Sequence, residues 1–352
     1  MVESFGLGHF WLLKKLESRG TPLGLQRTLI QPVSPFWQAI SSCIGVHEPN
    51  TLTYVIREKT KSGMVAGIAQ IWERRGRPEA EIIYIAPALS TTPDIQSLWG
   101  RLLSQVCVEA GERGVQRLFA DIPRDGGEAE VFRQIGFTAY AREEILRFDE
   151  IPPLPRRDPP VDLRRLRSED AGQLLDLYAS VTPRLVQQAE GQGPAQWHIN
   201  SNHSTFWGEE AYILEDQQSS KIVGYLQVKP GTVGHWLEMT LAPIAWDDGE
   251  RLLEFGLSRI ADWPARPVYT AVREYQGGLL PILYAKGFDS CAWQVSMVKH
   301  TTVLVKDPFP KLLPVIEKRV GPSTPTVTLL NGDPACESPS HPVTAMVGSS
   351  RE

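Results

Sequence analysis

The sequence has little cysteine, no long apolar run and no surplus of basic charge. Its four cysteines (Cys43, Cys107, Cys291, Cys336) are scattered with no CxxC pair. That distribution argues against a disulfide framework or a zinc site and favours reduced, buried thiols. No stretch approaches the roughly 18 apolar residues of a membrane span. Near the start, Phe10, Trp11, Leu12 and Leu13 run directly into Lys14 and Lys15, too short an apolar run for a secretory leader. Lysine and arginine number 36 against 41 aspartates and glutamates, a formal net charge of −5, so no basic face for nucleic acid or an anionic membrane is expected. These absences describe a soluble, cytoplasmic protein with no bound metal and no nucleic-acid or membrane partner. They say nothing of oligomeric state.

What is present is enough for two cores. The chain has 352 residues, 42% hydrophobic and 22% charged, which suggests two domains. The segment 151–162 reads IPPLPRRDPPVD, with five prolines, and such a run builds a stiff linker rather than a helix or a central strand. The expected division is a first domain over 1–149, a linker over 150–160, a second domain over 161–306 and a C-terminal extension over 307–352. A short helix around 312–318 is expected there, and disorder from about 331.

Within each half the same order of elements recurs. In the first, apolar spacing predicts strands over 52–57 and 64–72 joined by Lys61-Ser62-Gly63, then a strand over 80–85 ending at Ala86-Pro87. A helix over 93–110 follows, with Leu98, Leu102, Leu103 and Val106 at helical spacing, then strand 115–120, helix 128–134 and strand 137–148. The second half predicts strands over 211–214, 222–228 and 236–241, a helix near 248–260, strand 268–272, helix 279–285 and strand 288–298. The residues repeat as well. Gly67-Ile68-Ala69-Gln70 matches Gly224-Tyr225-Leu226-Gln227, and Ile85-Ala86-Pro87 matches Leu241-Ala242-Pro243. Gly126-Gly127 and Gly136-Phe137 recur as Gly277-Gly278 and Gly287-Phe288 at one offset of 151. Glycine marks backbone geometry rather than burial, so paired glycines at one spacing point to duplication.

This order, with Val131-Phe132-Arg133-Gln134-Ile135-Gly136-Phe137 similar to an "LYEKLGF" signature and Leu283-Tyr284-Ala285-Lys286-Gly287-Phe288 a shorter version, resembles the GNAT superfamily of N-acetyltransferases. The resemblance covers about 5–149 and 161–305. It implies an α/β (α+β) fold of two tandem GNAT-like domains, each a mixed central sheet flanked by helices. It further implies that the central strands splay after the strand ending in proline, that the pantetheine arm of acetyl-CoA fills the gap, and that its pyrophosphate rests on the next helix start in an Arg/Gln-x-x-Gly-x-Gly/Ala loop. Unpaired amides and the helix dipole attract anions at such a start.

Both copies depart from that loop. After Pro87 stand Ser90 for the arginine and Thr91 and Pro93 for glycines, with Thr92 an expected N-cap. After Pro243, Asp247 and Glu250 are spaced as a capping box, which sets carboxylates where phosphates would bind. The resemblance therefore places the cofactor in the first copy, at Ile85, Ser90, Thr91, Thr92 and Asp94. The family's tyrosine acid is replaced by Phe132 in the first copy and by Leu283 in the second, where Tyr284 lies about 100° further round a helix and serves as acid or as buried packing. The implied base is a glutamate on the strand before proline: Glu81, six residues before Pro87, or Glu238, five before Pro243. A one-residue difference turns a strand side chain to the other face, so at most one of the two is expected at the site. Glu238, beside Leu237, Met239, His235 and Trp236, sits where apolar company raises a carboxyl's pKa, or else faces solvent.

The copies differ most over 183–210 of the second, which holds Trp197, His198, Asn200, His203 and Trp207. The resemblance makes this region the acceptor pocket; the alternative is a surface loop anchored by its tryptophans. Its histidines and amides suit hydrogen bonding more than a metal. Two functions follow. One is an N-acyltransferase moving an acyl group from acyl-CoA to an amine. The other is a catalytically inactive GNAT-fold protein used for ligand sensing or protein–protein interaction.

Overall fold

β-Branched and aromatic residues alternate through the strand segments, and leucines recur at helical spacing between them; the chain folds accordingly. The computed structural model describes residues 2–44, 50–60, 63–74, 76–90, 92–149, 158–191 and 208–301. The first half runs β1 (Val2–Ser4), α1 (Phe10–Leu16), β2 (Thr21–Pro22), α2 (Leu25–Ile30), α3 (Pro35–Ile44), β3 (Thr51–Thr60), β4 (Gly63–Glu73) and β5 (Glu79–Ala86). It continues with α4 (Pro93–Glu112), β6 (Arg117–Pro123), α5 (Glu128–Gln134) and β7 (Thr138–Phe148). The second half runs β8 (Leu163–Arg165), α6 (Ala171–Val181), α7 (Arg184–Glu190), β9 (Glu210–Glu215), β10 (Ile222–Lys229) and β11 (His235–Leu241). It closes with α8 (Gly249–Ile260), β12 (Val268–Arg273), α9 (Leu280–Lys286) and β13 (Asp289–His300). Most of the linker, the remainder of the acceptor-loop segment from 192 to 207 and the extension beyond 301 lie outside the described residues.

The described strands form one mixed 13-stranded sheet in the order β1-β3-β4-β5-β6-β13-β7-β12-β11-β10-β9-β8, with β2 paired to β5 off this path. The closing strands are crossed. β13, from the second half, lies between β6 and β7 of the first, and β7 pairs β12 of the second. The β7–β13 register carries the duplication: Ala292 faces Ile145 and Ser296 faces Ala141, with Gln294 opposite Glu143 midway. A pseudo-two-fold axis thus passes between Glu143 and Gln294, each the other's counterpart at the offset of 151.

The repeated "GF" has a backbone cause. Gly136 and Gly287 sit at φ +93° and +97° just after α5 and α9, a left-handed turn that glycine adopts without a Cβ clash. Phe137 and Phe288 then turn into the two cores, 3% and 1% exposed. In the first core Trp99 stands edge-on to Phe132, and its indole Nε1 donates to Pro87 O at 2.8 Å. Each such buried side chain contributes about 1.5–3 kcal/mol from area alone. Cys107 is buried in α4, but Cys291 is exposed on β13, against the expectation of buried thiols, because it falls beside a register shift in the β7–β13 pairing.

Candidate functional site

In each half a parallel strand pair opens into a fork. β5 and β6 pair only at Glu79/Arg117, Ala80/Leu118 and Glu81/Phe119, and β11 and β12 only at His235/Val268 and Trp236/Tyr269. The first fork is filled by the chain itself. Thr21 and Pro22 pair with Ile85 and Tyr84, Leu23 N donates to Ile83 O at 2.9 Å, and Gly24 N donates across to Asp121 O at 3.1 Å. Leu23 is 2% exposed and joins the first core. Gly24, at φ +76°, turns this segment into α2, and a Cβ there would come within 2.9 Å of Glu81 Oε1. Among the described residues no strand enters the second fork. Beyond its strands the Trp246 indole lies against Gly278, at 2.8 Å from where a Cβ would stand.

A cavity of about 490 Å3 sits between the halves, walled by α2 and β6 on one side and by β11, β12 and the α6–α7 pair on the other. Glu81 and Glu238 both line it. The expectation that one of them would face away fails because β5 carries a bulge: the register with β4 passes from Ile71/Ile82 to Gln70/Tyr84 and skips Ile83. That one extra residue absorbs the difference in spacing and brings both carboxylates to one side.

The floor is a buried network that the sequence reading missed. Arg273 places Nη1 2.6 Å from Glu190 Oε1 and Nε 3.5 Å from Glu143 Oε2, and it donates to Tyr275 Oη at 3.0 Å. Tyr178 Oη donates to Glu190 Oε2 at 2.7 Å. Gln294 Nε2 donates to Glu143 Oε1, and its Oε1 accepts from Leu25 N at 3.3 Å. These two residues tie α2 to the pseudo-axis. Burial, then the charge of Glu81, pushes Asp121 up to about 6, and burial with Asp121 nearby raises Glu143. Asp121 touches the cavity as well as the protein, so cavity water screens part of that shift. Burial raises Tyr140 well above its usual value, while Glu190, Tyr275 and Glu143 keep the half-buried Arg273 charged against its desolvation. One signal was available: Asp121 interrupts the apolar run Leu118-Phe119-Ala120-Asp121-Ile122, and an acid inside a strand core needs a reason.

Other expected site residues lie elsewhere. Tyr284 is exposed rather than buried, and its hydroxyl donates to Glu144 Oε1 at 2.8 Å. Glu144 follows Glu143 on β7 and so points to the opposite face. Tyr284 is therefore not brought together with Glu81 or Glu238. Ile85 pairs with Thr21, and Ser90 and Thr92 bond to each other at 2.6 Å. Thr92 is the N-cap residue of α4 without a side-chain cap bond, and Asp94 stands in its first turn. Thr91, Trp197, His198, Asn200, His203 and Trp207 lie outside the described residues. The Asp247/Glu250 capping box does not form: Asp248 is the N-cap residue of α8, and its carboxylate goes to Arg251 at 2.8 Å, which also grips Asp162.

No family model matches the sequence, and no curated protein matches it. By structure it is similar to a tandem GNAT protein from the clavulanic acid biosynthesis pathway, solved without AcCoA, at 15% identity and a TM-score of 0.50, over 85% of this chain and 98% of that one. The chain has the tandem GNAT fold. A GCN5-related N-acetyltransferase from Sphaerobacter thermophilus aligns at 13% identity and a TM-score of 0.46, over 85% and 95% of the two chains. Identities this low speak to fold and leave the chemistry to the residues.

The GNAT fold implies acetyl-CoA in a fork, and the first fork here does not fit it. In the first, the β5 edge that would take the pantetheine arm is hydrogen-bonded to β2. In the second, Asp247 and Asp248 precede the helix start. Two carboxylates there oppose a pyrophosphate. Among the described residues no helix is long and apolar enough to cross a membrane, and no group of three or more His, Cys, Asp or Glu is placed to hold a metal.

Proposed function

We propose that this chain is a small-molecule-binding protein on a tandem GNAT fold, with the central cavity as its site, and that it does not act through acyl-CoA. One observation carries the reading: the backbone of Thr21–Gly24 is hydrogen-bonded to both edges of the first fork. A segment held by several ladder bonds and a buried leucine belongs to the fold and does not swing aside for a ligand. The cavity supports the rest. Its volume of about 490 Å3 lies within the roughly 300–1,000 Å3 of small-molecule sites, and Arg273, Glu190 and Glu143 on its floor are already oriented by their mutual bonds.

Thermal unfolding of the full chain with excess acetyl-CoA, with free CoA and ATP as controls, tests this. Saturating ligand at a hundredfold its dissociation constant adds about 2.7 kcal/mol, several degrees for a protein of this size. No shift is expected with any of the three. A shift with acetyl-CoA and none with ATP overturns the reading.

A second reading, N-acyl transfer to an amine by the second half, is favoured by the fork between β11 and β12, which opens toward the cavity beside Glu238. Under it acetyl-CoA stabilises the protein, and Glu238→Gln abolishes transfer while leaving that stabilisation in place.

A further inference from the structure

Both walls of the central cavity carry both signs of charge. On the side of α2, β5 and β6, Arg27, Arg74 and Arg77 stand among Glu81 and Asp121. On the far side Arg273 stands among Glu143, Glu190 and Glu238. Several of these groups are already engaged within the protein. Arg74 and Arg77 hold the buried Glu79 carboxylate at 3.1 and 2.6 Å, and Arg74 lies 3.8 Å from Glu81. Arg273 holds Glu190 and Glu143, which also accept from Tyr178 and Gln294. An ionic group on a ligand would meet like charge close to its opposite on either wall. It would also shed its own hydration to compete with pairs that exist without it.

A hydroxyl does not face that conflict. It has one donor, two acceptor lone pairs and no charge, so it gives its proton to a carboxylate and accepts from a guanidinium beside it, both of them strong, charge-assisted bonds. Thr182, Thr240, Tyr275 and Gln276 add neutral donors and acceptors to the same lining. The apolar part is a small strip: Ile30, Trp236 and Ala271 line the cavity and pack in one cluster. Resting on the reading of this cavity as a small-molecule site, we infer that its ligand is a neutral saccharide, with its hydroxyls on the charged groups of both walls and a C–H face of its ring on Ile30, Trp236 and Ala271. A wholly apolar molecule of the same size would leave the polar walls unpaired, so the cavity selects by the density of hydroxyls as well as by size.

Isothermal titration of the full chain at neutral pH with glucose, galactose and mannose, and with the 2-amino sugar and the uronate of each, decides the matter. The best neutral sugar is expected to bind at least about tenfold more tightly than either of its charged counterparts. Glu81→Gln should weaken that sugar about tenfold and narrow its advantage over the uronate, whereas Arg27→Gln should weaken it similarly and narrow its advantage over the amino sugar. Circular dichroism and thermal unfolding check that each variant folds, and either one that does carries the test. If an amino sugar or a uronate binds as tightly as the neutral sugar, the cavity is a small-molecule site but the neutral-saccharide proposal is wrong. If no neutral sugar binds, or if a folded variant binds it as the parent does, the proposal is likewise overturned. The acetyl-CoA measurement separately decides whether the non-acylating reading stands.

Discussion

Glu143 and Gln294 occupy the same position in the two halves of the chain and are hydrogen-bonded to each other across the pseudo-two-fold axis. An acid facing an amide satisfies both side chains, with Arg273 and Leu25 N taking the remaining oxygens. A symmetric pair of acids would not be satisfied in this way. Gln294→Glu places two buried carboxylates against one another next to Asp121, and like charges at that range cannot both ionise. The variant is expected to be about 1–3 kcal/mol less stable than the parent near neutral pH, with most of the loss recovered near about pH 5, where one carboxyl of the pair holds its proton. Urea denaturation at the two pH values checks it. Equal stability at neutral pH would show that the site already shares a proton.

Filling of the first fork predicts a stability cost without a gain of function. Leu23→Ala removes a side chain only 2% exposed from the first core, and such truncations cost about 2–5 kcal/mol. The β2 backbone remains paired to Ile85 and Tyr84, so acetyl-CoA should still produce no thermal shift in the variant. An acetyl-CoA response in Leu23→Ala would mean that the segment is displaceable.

Tyr284 offers a contrast between position and signature. Tyr284→Phe deletes the hydrogen bond to Glu144, a carboxylate 4% exposed, at an expected cost of about 1–3 kcal/mol, the usual range for bonds to charged groups. Binding of any ligand in the cavity should be unchanged, because that bond lies on the far face of the sheet. A change in cavity affinity without loss of stability would return Tyr284 to the site.

The elements from β3 to β7 and from β9 to β13 were legible in the sequence because each signal was local, whereas the short opening elements of each half were not. Apolar alternation, leucine spacing and left-handed glycines gave strands and helices to within a few residues, α5 among them at Glu128–Gln134. The crossing of β7 and β13 was not legible. Both closing strands carry the same pattern, and nothing in either tells it which neighbour to pair with. A two-residue strand such as β2 has no period to detect, so the segment that fills the first fork left no trace beyond Gly24. The bulge at Ile83 is one residue long, and it reversed a facing argument that would hold on a regular strand. Of the cavity lining, Glu81 and Glu238 were singled out through the family resemblance, while Asp121, Glu143 and Arg273 were not. Their importance comes from being buried together by a crossing that the sequence did not reveal.

The last prediction concerns Asp121, whose carboxyl burial and the charge of Glu81 raise from an ordinary 3.8 to about 6. A folded value above the unfolded one means that between those two pH values the folded chain holds a proton that the unfolded chain has released. Stability therefore falls as pH rises through that window, and above about pH 6 the buried negative charge is a full liability. Asp121→Asn keeps the side chain's size and removes the charge. The variant is expected to be more stable than the parent by about 1 kcal/mol near pH 8, the value being reduced by water in the cavity. Near pH 4 the parent's carboxyl is itself neutral when folded, so the advantage should vanish. Paired denaturation curves across that range decide between causes. A gain that is the same at both ends would come from packing rather than ionisation, and a loss near pH 8 would mean that the carboxylate is held by a partner stronger than its desolvation.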